Sequence, residues 1–211
     1  MKKPIRYVLF DAANTLIHKA DLWDKLEEVF TKHQYKISRK ELKYKHKMIS
    51  ELIHFPDVTS KTFYNEFNAE LCRLLGIVPN TELLNDIFEN CKYLPWKSFD
   101  DVKYLAEINT PIGVLSNFNK GLTKILEENL PTIKFKDIII SEEEGVAKPN
   151  IAFYKRAIEI IGLKPEEILY IGDSLKLDIE PALALGFQVR LIDRECFFEA
   201  SEFYLKSLNN I

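Results

Sequence analysis

Cysteine is scarce in this chain of 211 residues: Cys72, Cys91 and Cys196 are far apart and odd in number. They form neither a disulfide framework nor a zinc-ligand spacing, and they read as buried or half-buried reduced thiols of a cytosolic protein. Long apolar runs are also missing. None approaches the roughly 18–20 residues of a membrane span, so no membrane partner is expected. The opening MKKPIRYVLF carries two lysines and a strand-length apolar run, without the longer apolar stretch or small-residue cleavage site of a secretory leader. The expected location is cytoplasmic. Positive charge is not in excess either. Lys and Arg number 29 against 32 Asp and Glu, a net charge of -3, which argues against a general nucleic-acid binder. No internal repeat or low-complexity segment is present.

What the chain does have is an ordinary globular hydrophobic fraction of 46% and enough length for one domain plus a modest second one. It is organised around YVLFDAANTL, residues 7–16. Four apolar residues run straight into Asp11, as suits a fully buried strand of a parallel sheet. An Asp just past such a strand sits at its carboxyl end, where open α/β sheets bind ligands. Taken alone, Asp11 reads equally well as a residue that starts a turn.

The pattern then becomes helical. Residues 21–34 space Leu22, Leu26, Val29 and Phe30 as a helix does. Ser38 with Glu41 suggests a capping box for a helix running to about His54, before Pro56. A third helix begins near Thr59 or Ser60 and stops at Gly76 and Pro79. A fourth opens at Asn80 or Thr81 and ends before Pro95. Residues 18–95 thus read as a helical insert, and residues 1–17 with 96–211 as the core. Past Pro95, expected strands over 111–115, 137–140, 168–171 and 188–192 alternate with expected helices over 100–107, 119–129, 151–161 and 176–185. The fold class is α/β, a doubly wound parallel sheet. The apolar tail 196–208 is expected to be helical, with Phe197, Phe198, Phe203 and Tyr204 packing on the sheet or serving an oligomer contact.

Four strand ends carry polar residues: Asp11; Ser116 and Asn117; Lys148, after the loop SEEEGVAKPN; and Asp173 with Asp178. In a parallel sheet they share one edge. Each has a bland explanation, such as a turn-capping Ser116, a solvated Lys148 or a helix-capping Asp173, but all in this order rarely arise by chance. The motifs FDAANTL, LSN, AKPN and IGDSLKLD resemble those of the haloacid dehalogenase-like hydrolase superfamily over nearly the whole chain. The helical insert is similar to that family's C1-type cap, whose closure excludes water. The resemblance implies a Rossmann-like core and a Mg²⁺-dependent phosphatase acting on a small phosphorylated metabolite, as a monomer or homodimer. It implies Asp11 as nucleophile and metal ligand, Asp173 as a carboxylate contact to the metal, and Asp178 and Thr15 in support. Ser116 and Asn117 would hold phosphate oxygens through hydroxyl, amide or backbone donors, and Lys148 would pair with Asp11 and the transferring group. A carboxylate nucleophile splits a displacement into two easier steps, and Mg²⁺ suits carboxylate and carbonyl oxygens.

One position departs from the family's phosphatases. They carry a second Asp two residues after the nucleophile, which protonates the leaving group and activates water. Here Ala13 does neither, although its backbone carbonyl still offers the family's metal contact. General acid–base assistance is worth roughly 10²–10⁴-fold. Three hydrolase readings therefore stay open. The first is a slow phosphatase, or one borrowing an acid from elsewhere, with Glu27, Glu28 and His18 as candidates. The second is a carbon–halogen hydrolase, whose motif also reads FDA but which works without metal. The third is a phosphonate-cleaving enzyme, which has Ala at this position and a Schiff-base lysine from its cap (Lys25, Lys32 and Lys61 are available), but a Gly where this chain has Asn14. From another class comes a weakly active phospho-ligand binder.

The basic stretch 32–47, with Tyr35 and Tyr44 interleaved, reads as a solvated helix face in preference to a surface that steers anions or contacts RNA. Residues 141–145 (SEEEG) read as a solvated loop that tethers Lys148 electrostatically at most weakly. Trp23, Phe55, Phe63, Tyr64 and Phe67 read as packing, with a cap pocket as the alternative.

Overall fold

The computed structural model describes residues 3–53, 60–199 and 202–211. The chain divides into two compact units, Met1–His18 with Trp96–Ile211, and Lys19–Pro95.

The first unit is built on a six-stranded, wholly parallel sheet. Its strands are β1 (Tyr7–Phe10), β4 (Ile112–Ser116), β5 (Asp137–Ile140), β6 (Ile168–Gly172), β7 (Gln188–Ile192) and β8 (Tyr204–Leu205), in the order β5-β4-β1-β6-β7-β8. β1 lies near the centre, and both faces of the sheet are buried. Alternate side chains of β1 and β6 therefore enter different cores. Val8, Phe10, Leu169 and Ile171 join one core, and Tyr7, Leu9, Ile168 and Tyr170 join the other. The second core also takes Phe153, Tyr154 and Ala157 from helix α7 (Ile151–Ile161). Gly113 is required by a close approach. The Tyr7 hydroxyl passes over it to Asp137 Oδ2 at 2.6 Å, and a Cβ at Gly113 would lie 2.3 Å from that hydroxyl.

The second unit holds α1 (Leu22–Lys32), α2 (Arg39–Leu52), α3 (Lys61–Leu74) and α4 (Thr81–Cys91). Ser38, Ser60 and Asn80 each accept a backbone N–H at the helix start, as their side chains favour. The Glu41 carboxylate turns to Lys45 at 2.8 Å. Leu26, Val29, Phe30, Leu42, Leu71, Leu83 and Ile87 form one core here, and Ile49, Phe63 and Phe67 a smaller one. Trp23 packs at the edge of the larger cluster, and Tyr64 is exposed. The expected helix end at His54 and start at Thr59, and the aromatic Phe55, lie outside the described residues.

Several expectations need correction. The tail is not helical where it is described. Tyr204–Leu205 forms β8, and the amides of Leu191 and Asp193 donate to the carbonyls of Phe203 and Leu205 at 2.8 and 2.9 Å. A helix there would leave the outer edge of β7 without these partners. Phe198 and Phe203 still pack on the sheet. The SEEE run is one helical turn, α6 (Ser141–Glu144), closed by Gly145 at φ 67°. Its carboxylates engage the Lys120 amide and Arg156, while the ion-pair partners of Lys148 are Asp11 and Asp178. Cys196 is exposed, with the Tyr204 hydroxyl 3.0 Å from its sulfur. Two short strands, β2 (Ile17–His18) and β3 (Lys97–Ser98), pair antiparallel where no strand is expected.

The helix after Asp173 starts irregularly. Leu175–Ile179 forms a widened π turn before α8 (Glu180–Ala184). The amides of Asp178 and Ile179 both donate to the Ser174 carbonyl, at 3.0 and 3.1 Å. Such widened turns recur at functional sites, and this one carries Asp178.

Candidate active site

Asp11 follows β1, and its amide donates to the Ile171 carbonyl of β6 at 2.8 Å. Its carboxylate is buried at the carboxyl edge of the sheet. Ser116, the last residue of β4, donates to Asp11 Oδ1 at 3.5 Å. Lys148 Nζ lies 2.6 Å from the same oxygen, 2.8 Å from Asp178 Oδ1 and 3.0 Å from the Tyr170 hydroxyl. Three acceptors match the three protons of an ammonium. The Tyr170 hydroxyl in turn donates to Asp178 Oδ1 at 2.8 Å, and the Ser174 amide donates to Asp178 Oδ2 at 3.0 Å.

Lys148 is aimed by its backbone as well as by its ammonium. The Asn117 side chain accepts from the Lys148 amide at 2.7 Å and donates to its carbonyl at 2.9 Å. The Asn117 side chain is thereby committed to the Lys148 backbone. Asn150 caps the helix that begins directly afterwards by accepting from Ala152 N–H.

Asp11, Asp173 and Asp178 each offer a carboxylate oxygen, all within 4.8 Å of one another. Two of these carboxylates, Asp11 and Asp178, share the ammonium of Lys148. Burial pushes the Asp11 carboxyl upward, and the carboxylates of Asp178 and Asp173 add to it against the opposing pull of Lys148. Burial alone would lower Lys148, but the charges of Asp11 and Asp178 outweigh it and hold the ammonium firmly protonated. Burial, reinforced by Asp178, keeps the Tyr170 and Tyr154 hydroxyls protonated well above the ordinary tyrosine range.

The donor set fits a hard divalent cation, which takes oxygen ligands. Both Asp178 oxygens accept hydrogen bonds, Oδ1 from Lys148 and Tyr170 and Oδ2 from the Ser174 amide, so Asp178 orients the Lys148 ammonium. Ala13 is half-buried two residues after Asp11, in the turn that follows it. Thr15 Oγ1 is enclosed without a hydrogen-bond partner among the described residues.

Tyr170 and Tyr154 are absent from the sequence-predicted set. Tyr170 sits inside an apolar strand and Tyr154 inside an amphipathic helix, where both read as core. Tyr154 donates to the Leu177 carbonyl in the widened turn and meets Tyr170 edge-on, with ring centroids 5.7 Å apart.

The model of one protein family, the haloacid dehalogenase-like hydrolases, matches residues 5–186. This chain belongs to that family. Among curated relatives, the glyceraldehyde 3-phosphate phosphatase of Methanocaldococcus jannaschii is 48% identical over 89 residues, 40% of this chain and 39% of the relative. The haloacid dehalogenase-like hydrolase domain-containing protein 3 of Danio rerio is 29% identical over 119 residues, 54% of this chain and 49% of the relative. The matches to these two thus span less than half of the relatives' own lengths. Among solved structures, the magnesium-bound HAD-hydrolase YfnB of Bacillus subtilis superposes with a TM-score of 0.67 at 19% identity, over 99% of this chain and 97% of that one. The L-2-haloacid dehalogenase of Xanthobacter autotrophicus gives 0.64 at 21%, over 98% and 96%. At such identities the shared property is the fold. No helix among the described residues is long and apolar enough to cross a membrane.

Proposed function

We propose that this family member is a Mg²⁺-dependent phosphatase that acts on a small phosphorylated metabolite through an aspartyl-phosphate on Asp11. One observation carries the proposal: the buried Asp11 carboxylate shares an ammonium with Asp178 and lies in a three-carboxylate cluster within 4.8 Å. Both side-chain hydrogen bonds to the Asp11 carboxylate fall on Oδ1, which supports Oδ2 as the attacking atom. Asp11 Oδ2 forms a bond to phosphorus while the ester oxygen leaves with its electron pair. Water then cleaves the acyl phosphate and restores the carboxylate. When bound by Asp11, Asp173 and the Ala13 carbonyl, Mg²⁺ supplies the positive charge that lets carboxylate and phosphoryl oxygens approach. Lys148 adds fixed positive charge on the same side. Ser116 and the Asn117 backbone N–H hold the phosphoryl oxygens. The helical unit serves as a cap of the C1 type.

Ala13 has no proton to give, so the leaving group decides the rate. Aryl esters, whose leaving oxygen needs little help, should outpace alkyl esters by about 10²–10⁴-fold. The acid candidates Glu27 and Glu28 are paired with Arg39 and Lys25, and His18 stacks on Phe99 with ring centroids 4.1 Å apart. For phosphonate cleavage, Lys25 and Lys32 are poor Schiff-base nucleophiles. Each is ion-paired, at 2.7 Å to Glu28 and 2.6 Å to Asp86, and each is shifted upward by that partner. The clustering of carboxylate oxygens from Asp11, Asp173 and Asp178 within 4.8 Å of one another favours a metal-using phosphatase over a metal-free carbon–halogen hydrolase.

The test is hydrolysis of an aryl phosphate by the full chain with Mg²⁺ and with chelator. Asp11→Asn should abolish metal-dependent turnover with the fold intact, and wild-type rates in that variant would remove the nucleophile assignment. Glyceraldehyde 3-phosphate, named by relatives, is the first metabolite to try. Binding of Mg²⁺ and phosphate with neither burst nor steady rate would point to a binding protein instead.

A further inference from the structure

Arg194 follows β7 at the carboxyl edge of the sheet and touches none of the carboxylates of the candidate site. Four of its five guanidinium N–H donors are engaged elsewhere. Nε and Nη2 donate to the two oxygens of Asp101, at 3.0 and 2.8 Å. Nη1 donates to the Asn14 carbonyl at 3.2 Å, and Nη2 donates to the Thr15 carbonyl at 2.9 Å. Its plane rests on the Phe99 ring, 3.9 Å from the centroid. Asp101 is fixed in turn by Ser207 Oγ at 3.1 Å and the Leu208 amide at 3.0 Å. Phe99 is fixed by its backbone N–H, which donates to the Leu16 carbonyl at 3.1 Å. All these groups lie within one unit.

The two carbonyls belong to the turn that leaves Asp11. Asn14 holds φ at 61°, a left-handed conformation uncommon for any residue but glycine and least costly for Asn or Asp. The turn is otherwise secured by the Asn14 amide on the Ile17 carbonyl and by the Leu16 and Ile17 amides on the Ala12 carbonyl. A planar fork that answers two carbonyls on one side and a carboxylate on the other is a task for arginine and not for lysine.

We propose that Arg194 is a positioning residue. It clamps the turn after Asp11 from its outer side, and thereby sets the Ala13 carbonyl against the carboxylates of Asp11 and Asp173 for a divalent cation. This rests on the phosphatase assignment for its kinetic consequence, while cation affinity and the order of the turn are read without turnover. Outer partners of a metal site typically change affinity or activity about 10–100-fold when removed.

The experiment compares Arg194→Ala and Arg194→Lys with the parent, and with Arg6→Ala as a surface-charge control. Mg²⁺ affinity is measured by titration calorimetry and amide hydrogen exchange residue by residue; kcat, KM and the half-saturating Mg²⁺ concentration come from aryl phosphate hydrolysis. Arg194→Ala should weaken Mg²⁺ binding about 10–100-fold and deprotect the amides of Asn14, Leu16 and Ile17 while the strand amides of β4 and β6 stay protected. Added guanidinium should restore part of the loss, and Arg194→Lys, which keeps the charge but not the fork, should fall between. Unchanged Mg²⁺ affinity in a folded variant, or exchange that rises evenly through the sheet, would overturn the clamp; should Arg194→Ala not fold, Arg194→Lys alone decides by the same two readouts. A parent that binds no Mg²⁺ overturns it as well. A parent that binds Mg²⁺ but hydrolyses no phosphate ester overturns the phosphatase assignment alone.

Discussion

Gly172→Ala adds one methyl group and should dismantle the site. Gly172 ends β6, and a Cβ built on it would lie 2.3 Å from Asp178 Cγ, 2.4 Å from Oδ2 and 2.5 Å from Cβ, against an ordinary contact of 3.4–4 Å. Rotating Asp178 away does not relieve the overlap, because its own Cβ is among the clashing atoms. Rotation would also give up the bonds from Lys148, Tyr170 and the Ser174 amide. Either the end of β6 or the widened turn must move. Overpacking of this kind costs about 1–3 kcal/mol, and each hydrogen bond lost to a charged group about 1.5–3 kcal/mol. One lost bond plus the overlap gives about 4 kcal/mol as a central value, or a fall in melting temperature of about 8–16 °C for a chain of this size. Turnover should fall with it, since Lys148 loses the partner that holds it against Asp11. Differential scanning calorimetry and aryl phosphate hydrolysis with saturating Mg²⁺ measure both. A variant that melts within about 2 °C of the parent and keeps its kcat would refute the packing role given to Gly172.

Lys148→Met leaves Asp11 and Asp178 buried without their ammonium, and removing one member of such a pair costs about 3–5 kcal/mol. The Asp11 carboxyl, which burial pushes upward and Lys148 pulls down, should then titrate further above its unfolded value. The variant should gain stability relative to the parent as pH falls from 8 toward 5, because a proton replaces the lost charge; denaturation at both pH values checks the sign. His46, in the helical unit, sits edge-on to the rings of Trp23 and Phe67, with centroids 5.2 and 4.8 Å away. Burial, with a smaller push from Lys47, lowers its pKa to about 4. The unfolded chain binds this proton below about pH 6.5 and the folded one does not. Stability is therefore complete above that pH and is lost as pH falls toward 4, by at most about 3 kcal/mol. His46→Phe should remove that component, and matching parent and variant pH–stability curves would contradict it.

Much of the site was legible because a strand buried on both faces reads as a short apolar run, and whatever polar residue follows it stands at the sheet edge. Asp11, Ser116, Asn117 and Asp173 declare themselves this way, and Lys148 does so one loop later. Local signals also sufficed for the helix starts at Ser38, Ser60 and Asn80, where one side chain answers one backbone amide. The rest depended on pairings that no local pattern encodes. Strand β8 forms because β7 has an edge to fill, and its own residues, among phenylalanines, read equally well as a helix. The Tyr170 hydroxyl is hidden in ILYIG, where the ring meets every requirement of a core residue. Alternation alone, which puts Tyr170 on the same face as Ile168 and Tyr7, would have turned it toward α7. No local pattern marks Arg194, since its partners are 93 residues away at Asp101 and about 180 away at Asn14 and Thr15.

The buried Lys148 network bears on how Ala13 should be understood. An ammonium and its carboxylates cost several kcal/mol to take out of water, and well-packed apolar groups of the same volume often serve stability as well or better. Here Tyr170, Ser174 and Asn117 are all spent on holding the arrangement in place. A scaffold with no use for charge at that edge gains nothing from this. The arrangement suits a function that brings its own positive charge and a phosphoryl group to the site. If the chain is the phosphatase proposed, Ala13 offers no proton to the leaving group, and the rate should follow the pKa of the leaving group far more steeply than it would with an acid at that position. A series of aryl phosphates with graded leaving groups measures that slope, and a flat dependence would mean that another group in this chain supplies the proton.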